Sequence, residues 1–289
     1  MSNYKIITDT SCDFTKQQYK QLDVSFASLH LNYKGSSIPG FTEPKDLHKF
    51  YDALRGGELP TTAAVNPDQW AGVMEPILAA GQDVLVLGFS SGLSTTYQSA
   101  IIAAEDMKEK YPQRKIIVID TLCAALGQGL LVWYAAKKRD EGLSLEELAA
   151  WVEEHKLKIC HEVTVNDLNH LKRGGRISTT TALVGTMLNI KPMIHMDNEG
   201  KLATIAKMRG RKGAMDQLVK RFGELCGSND NETVFIAHGD CPEDAKTLGE
   251  MVQAKFPQVK HVQIGYVGSV IGAHTGPGVL VLFFMGDHR

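Results

Sequence analysis

The sequence predicts an α/β protein of two domains. An N-terminal α/β domain over residues 1–155 is built on a parallel sheet, and a C-terminal α+β domain over 156–289 carries a mixed or antiparallel sheet. Three observations carry this. Short apolar runs alternate with capped helical segments through the first half. After about residue 156 the strand signals become longer and more closely spaced. No repeat, low-complexity tract or long linker separates the two parts, so they are expected to pack directly, with a ligand at their interface.

The elements follow in order. Tyr4–Asp9, Asp83–Gly88 and Lys115–Asp120 are apolar runs ending in a polar residue or glycine, the pattern of parallel strands buried on both faces. Between them, Asn66-Pro67 reads as an N-cap followed by proline at the first helical position, and Thr95–Tyr111 reads as a long amphipathic helix. Ser144-Leu145-Glu146-Glu147 is a capping box opening a helix that ends near His155. In the second half, strands are expected at Lys158–Val165, Lys191–Met196, Leu202–Met208, Thr233–His238, Gln263–Val267 and Val279–Met285. Met196–Lys201 reads as a hairpin turn, and helices are expected near Lys212–Cys226 and Pro242–Lys255. The stretch Gly265–Gly278, with five glycines, one histidine and one threonine before an apolar run, reads as a loop presenting a few polar groups at the mouth of an apolar interior.

Composition narrows the function classes. The 289 residues carry a net charge of -2 and are 43% hydrophobic, without the basic excess of a nucleic-acid binder. The five cysteines are odd in number and form no CxxC pair, which together with a polar start points to a reducing cytoplasm. No apolar run approaches the length of a membrane span.

Three polar loops follow predicted strands, where α/β proteins place ligands: Thr8–Asp13, Leu59–Thr62 and Gly88–Tyr97. The third contains Gly88-x-Ser90-x-Gly92, a formal nucleophile elbow, and the chain order Ser90, Asp240, His274 suits a serine hydrolase or esterase. The same loop continues with Ser94, Thr95 and Thr96, and so many hydroxyls beside a helix start also read as a cradle for a carboxylate. No GxxxxGK[ST] is present, and Gly127-Gln128-Gly129 lacks the third glycine of a dinucleotide fingerprint, so no cofactor is expected. No histidine or cysteine spacing suggests a metal; Cys160-His161-Glu162 alternates on a strand and reads as structural. The basic turns Lys172–Arg176 and Lys207–Lys212 are either solvated charge or a patch for an acidic partner, anionic lipid headgroups or a phosphorylated ligand.

Several of these stretches together carry a resemblance: Ile7–Asp13, Ser90–Ala100, Asp120-Thr121, Leu171–Ser178 and Ile271–Gly278. In this order the chain resembles, over nearly its whole length, the DegV family of bacterial fatty-acid-binding proteins, which includes the FakB carriers. The resemblance implies one long-chain fatty acid in a tunnel, its carboxyl group at the domain interface. It also implies a carrier rather than an enzyme, presenting the acid to a separate ATP-dependent kinase that makes an acyl phosphate for phospholipid synthesis. The family's carboxyl contacts map to Thr62, Ser94 and His274. Arg176, with Arg173, Thr61 and Thr275, is implied to support the site or face a partner, and transient contact with a membrane surface is allowed. Two departures, Ala63-Ala64-Val65 after Thr62 and Thr95 after Ser94, bear on acyl-chain preference. The physics agrees: about fifteen buried methylenes offer on the order of 12 kcal/mol before ordering costs, so affinity comes from the chain. Hydroxyls and an imidazole are expected to satisfy the carboxylate without a buried permanent cation.

Overall fold

The computed structural model describes residues 3–177, 189–229 and 231–289, so Ser178 of the basic motif lies outside the described residues. Its first strand, β1 (Tyr4–Asp9), is the apolar run the sequence marks, and a 3-10 turn (Thr10–Cys12) leads to α1 (Lys16–Gln21). There follow β2 (Val24–Ala27), β3 (His30–Tyr33), β4 (Ser36–Pro39), α2 (Pro44–Arg55), β5 (Thr61–Ala63) and α3 (Pro67–Ala79). Next come β6 (Asp83–Gly88), α4 (Thr96–Lys110), β7 (Ile116–Asp120), α5 (Ala125–Asp140) and α6 (Leu145–His155). The second half holds β8 (Ile159–Thr164), α7 (Asn169–Arg173), β9 (Ile190–Met196), β10 (Leu202–Arg209) and α8 (Gly210–Leu225). It ends with β11 (Thr233–His238), α9 (Pro242–Lys255), β12 (His261–Tyr266), α10 (Ser269–Thr275) and β13 (Leu280–Met285).

The strands form three sheets. The order β2-β1-β6-β7 is parallel throughout, as the β–α alternation requires. The order β10-β9-β8-β13-β11-β12 is mixed, antiparallel except for the β11–β12 pair. The strands of the parallel sheet end by Asp120, and those of the mixed sheet begin at Ile159. One apolar core nevertheless runs from Ile6 and Leu87 of the first sheet to Val281 and Phe283 of the second.

Local chemistry explains most boundaries. Asn66 and Gln69 close a reciprocal capping box on α3, and Ser144 and Glu147 do the same on α6. Several elements depart from the sequence reading. The antiparallel sheet β4-β3-β5 is an addition, turned by Lys34-Gly35 with φ of 50° and 78°, a two-residue hairpin that needs positive φ at both places. The stretch read as a glycine-rich loop contains α10, whose Gly272 sits directly against Tyr51 and Phe50 of α2. Helix α5 has no amphipathic signal because it is buried on nearly every side between the two large sheets. The Gly127-Gln128-Gly129 run is thus part of a packed helix. Among the described residues no helix is long and apolar enough to cross a membrane.

Candidate functional site

A cavity of about 440 Å³ lies between the two large sheets and the small one. Its wall is mostly aliphatic and aromatic, with Leu29, Phe89, Val163, Leu202, Val281 and Phe283 among the contributors. Among the polar side chains that the sequence singles out and that line it are Thr62, Ser94, Arg176 and His274. They come from four separate stretches of chain, and a different local device holds each.

Ser94 sits on the loop between β6 and α4, clamped by carboxylates from the strands on either side of β6. Asp9 at the end of β1 accepts from the Phe89 amide at 2.9 Å, and Asp120 at the end of β7 accepts from the Ser91 amide at 3.2 Å. Ser94 Oγ then lies 2.9 Å from Thr96 Oγ1 and accepts from the Thr96 amide at 3.2 Å. Burial raises the Asp9 carboxyl above its ordinary range, against hydrogen bonds from Ser11, Phe89 and Gln128 that favour the ion. These two aspartates were not singled out as site residues. Their signal was the strand-end position of each.

Thr61 and Thr62 are neighbours on β5 and point to opposite faces. Thr61 is exposed and accepts from Asn32 Nδ2 at 3.1 Å, outside the cavity wall. Thr62 points inward, its Oγ1 2.8 Å from Nε2 of His274 in the last turn of α10. The imidazole rests on the backbone at Gly174, where a Cβ would lie 2.2 Å from Nδ1, so only glycine permits this approach. Burial, then the charges of Arg176 and Arg173, lower the His274 pKa to about 4, so the ring is neutral at physiological pH.

Arg176, expected as a supporting residue, is a half-buried guanidinium in the cavity wall. Its Nε donates to the Leu93 carbonyl at 3.2 Å, and Nη1 donates to that of Gly174. These carbonyls come from the hydroxyl loop and the basic turn, so Arg176 ties together the segments bearing Ser94 and facing His274. Arg173 is exposed outside the wall, with Nη2 2.8 Å from His170 Nδ1. Thr275 lines the wall but gives its hydroxyl to the Ile271 carbonyl at 3.1 Å.

The hydrolase constellation does not assemble. Ser90 is fully buried, donates to the Gly200 carbonyl at 2.7 Å and accepts from the Gly92 amide at 3.2 Å. Its φ is not positive, unlike that of a strained nucleophile elbow. Asp240 is engaged instead by His48 at 2.9 Å and Arg55 at 2.6 Å. His48, Asp52 and Asp240 lie close enough to share a cation, but Arg55 also bonds Asp52 at 2.8 Å and supplies the positive charge there. On β8, the alternation holds: Glu162 takes two bonds from Arg221 on the outer face, and His161 faces the cavity. Nothing in the sequence marked His161 as a wall residue beyond its parity with Val163.

Comparison with known proteins places this geometry in a family. A family model described as "Uncharacterised protein, DegV family" matches residues 3–287. A DegV domain-containing protein of Clostridium perfringens is 44% identical over 293 residues, covering 100% of this chain and 99% of its own. Among solved structures, a fatty-acid-binding DegV family protein of Thermus thermophilus matches with a TM-score of 0.88 at 29% identity, covering 98% of this chain and 99% of its own. The fatty-acid-binding DegV protein of Bacillus subtilis matches with a TM-score of 0.82 at 26% identity, covering 99% and 100%.

Proposed function

The chain belongs to the DegV family, and from that premise we propose that it binds one long-chain fatty acid and presents its carboxyl group to a separate ATP-dependent fatty acid kinase. The observation that carries the reading is the distribution of polarity around the cavity. Thr62, Ser94, His274 and Arg176 converge on one part of a wall that is otherwise largely apolar. Its volume of about 440 Å³ falls within the range of small-molecule sites.

The acyl chain takes the apolar part, where each buried methylene contributes about 0.8 kcal/mol. The carboxylate takes the polar part. A carboxylate removed from water needs donors, and the Thr62 and Ser94 hydroxyls supply them, while Arg176 brings the compensating charge. The Thr62–His274 hydrogen bond is between two side chains, so both can turn to a ligand at little cost to the backbone. Arg173, exposed yet near enough to act on the protonation of His274, extends positive charge from the site to the surface. That is a surface suited to a partner carrying phosphates.

The test is denaturing extraction and mass spectrometry of protein purified without detergent. A near-stoichiometric fatty acid is the expected result. Empty protein that gains no thermal stability from added fatty acids overturns the reading. Incubation of the loaded protein with a fatty acid kinase, ATP and hydroxylamine tests the second half: acyl hydroxamate is expected, and its absence limits the protein to binding.

A further inference from the structure

Along β8 and β13 the cavity wall ends on a row of side chains that continues across β9 and β10. In the antiparallel β8–β13 pair, Val163 faces Val281 and, one step further in, His161 faces Phe283; all four line the cavity. The next pair on that face, Ile159 with Met285, is packed in the apolar core and is not part of the wall. The β8–β9 register pairs Glu162 with His195, which brings Met196 beside His161, and Met196 pairs with Leu202 of β10. Met196 and Leu202 also line the cavity. Phe283, His161, Met196 and Leu202 therefore form one transverse row, and along β8 and β13 the wall stops there.

The row is stiff at its centre. His161 Nδ1 lies 2.9 Å from the Ile159 carbonyl, and Nε2 accepts from the Ala124 amide at 3.2 Å. With both ring nitrogens bound to backbone, the ring cannot turn aside without losing both bonds. Behind it, a Cβ at Gly127 would lie 2.2 Å from Nε2, so the first turn of α5 backs the imidazole directly. Phe283 meets the ring edge-on, centroids 5.2 Å apart. Interiors packed like this do not stretch to admit another methylene.

We propose that this row, with His161 and Phe283 at its centre, is the stop that sets the longest acyl chain the protein accepts. The inference rests on the fatty-acid reading above and deepens it: the ligand class is unbranched fatty acids up to the length at which the terminal methyl meets His161 and Phe283. A longer chain leaves methylenes unburied at the carboxyl end or pulls the carboxylate off Thr62 and Ser94.

The test is competition. Wild type, Phe283→Leu and Val281→Leu are each loaded from an equimolar series of even-numbered saturated acids from dodecanoic to eicosanoic, then extracted and analysed by mass spectrometry. In Phe283→Leu the occupancy of the next longer acid rises relative to wild type, up to roughly tenfold if both added methylenes are buried. In Val281→Leu, which fills the step before the stop, the distribution moves to shorter acids. Should Phe283→Leu not fold, Met196→Ala, the neighbour of His161 in the same row, carries the same upward expectation. Identical chain-length distributions in the folded variants overturn the proposal. A wild type that retains none of the acids sinks the fatty-acid reading itself, and the stop with it.

Discussion

Two histidines face the same cavity from different parts of its wall, and they are built for different work. His274 and His161 are both held neutral by burial, with pKa values lowered to about 4 and about 3. His274 bonds a side-chain hydroxyl on another element, a partner that can exchange for a ligand. His161 bonds two backbone groups, the Ile159 carbonyl and the Ala124 amide, which cannot. Chemical type is the same; the partner decides whether the ring is free to turn to a ligand or is fixed in place.

The largest expected effect breaks the comparison through stability. His161→Leu leaves a buried amide and a buried carbonyl without partners, at about 1–3 kcal/mol each, so a drop of several kcal/mol in unfolding free energy is expected. His274→Leu loses one side-chain bond and is expected to cost about 1 kcal/mol. Denaturant unfolding of both variants checks this, and equal losses would erase the distinction drawn between the two rings.

Next comes affinity. On the proposed reading, Thr62→Ala with Ser94→Ala removes two donors from a carboxylate, and bonds to charged groups are worth about 1.5–3 kcal/mol each, so fatty acid is expected to bind on the order of 100-fold more weakly or worse. Displacement of a fluorescent fatty acid measures it. Undiminished affinity would move the carboxyl group away from this end of the cavity.

A smaller effect sharpens the contrast through pH. A histidine kept neutral in the fold resists protonation that the unfolded chain accepts below its ordinary pKa of 6.5. Stability owed to His274 is therefore present above about 6.5 and lost as pH falls towards about 4. The buried carboxyls Asp9, Asp13 and Glu162, all with raised pKa, act in the opposite direction, so the useful quantity is a difference. Wild type is expected to lose more stability than His274→Gln between pH 6.5 and 4. Parallel pH profiles would mean that His274 takes up its proton in place without resistance.

The same contrast explains what the sequence made legible. Thr62, Ser94 and His274 were named through the resemblance carried by their motifs, and the fold brings these three separate stretches to one cavity wall. The parallel strands and the capped helices α3 and α6 were legible because they are specified by neighbours in sequence. Arg176 was given a supporting role through the resemblance alone, since nothing local says which carbonyls it will reach; Leu93 lies far away in the chain. His161 was invisible as a wall residue because its role depends on the registers of β8 with β9 and β13 and on the approach of α5. Helix α5 itself was hidden by burial on all sides, and α10 by glycines that serve close packing against α2.

The smallest expected effect concerns Ser90, where a motif misdirects. Its GxSxG spacing arises because β6 must turn sharply into α4, and small residues allow the β9–β10 hairpin to come near enough for Ser90 Oγ to bond the Gly200 carbonyl. The hydroxyl thus ties the loop bearing Ser94 to the hairpin of the mixed sheet. Ser90→Ala is expected to cost about 1 kcal/mol of stability through that lost bond and to leave fatty-acid affinity within about twofold. An activated-serine probe is expected to leave wild-type Ser90 unlabelled, because no general base among the described residues bonds to it and it is closed to solvent. Stoichiometric labelling at Ser90 would restore the hydrolase reading and would require the hairpin to lift from the loop. The affinity and labelling measurements separate a hydroxyl used as a rivet from one used as a nucleophile.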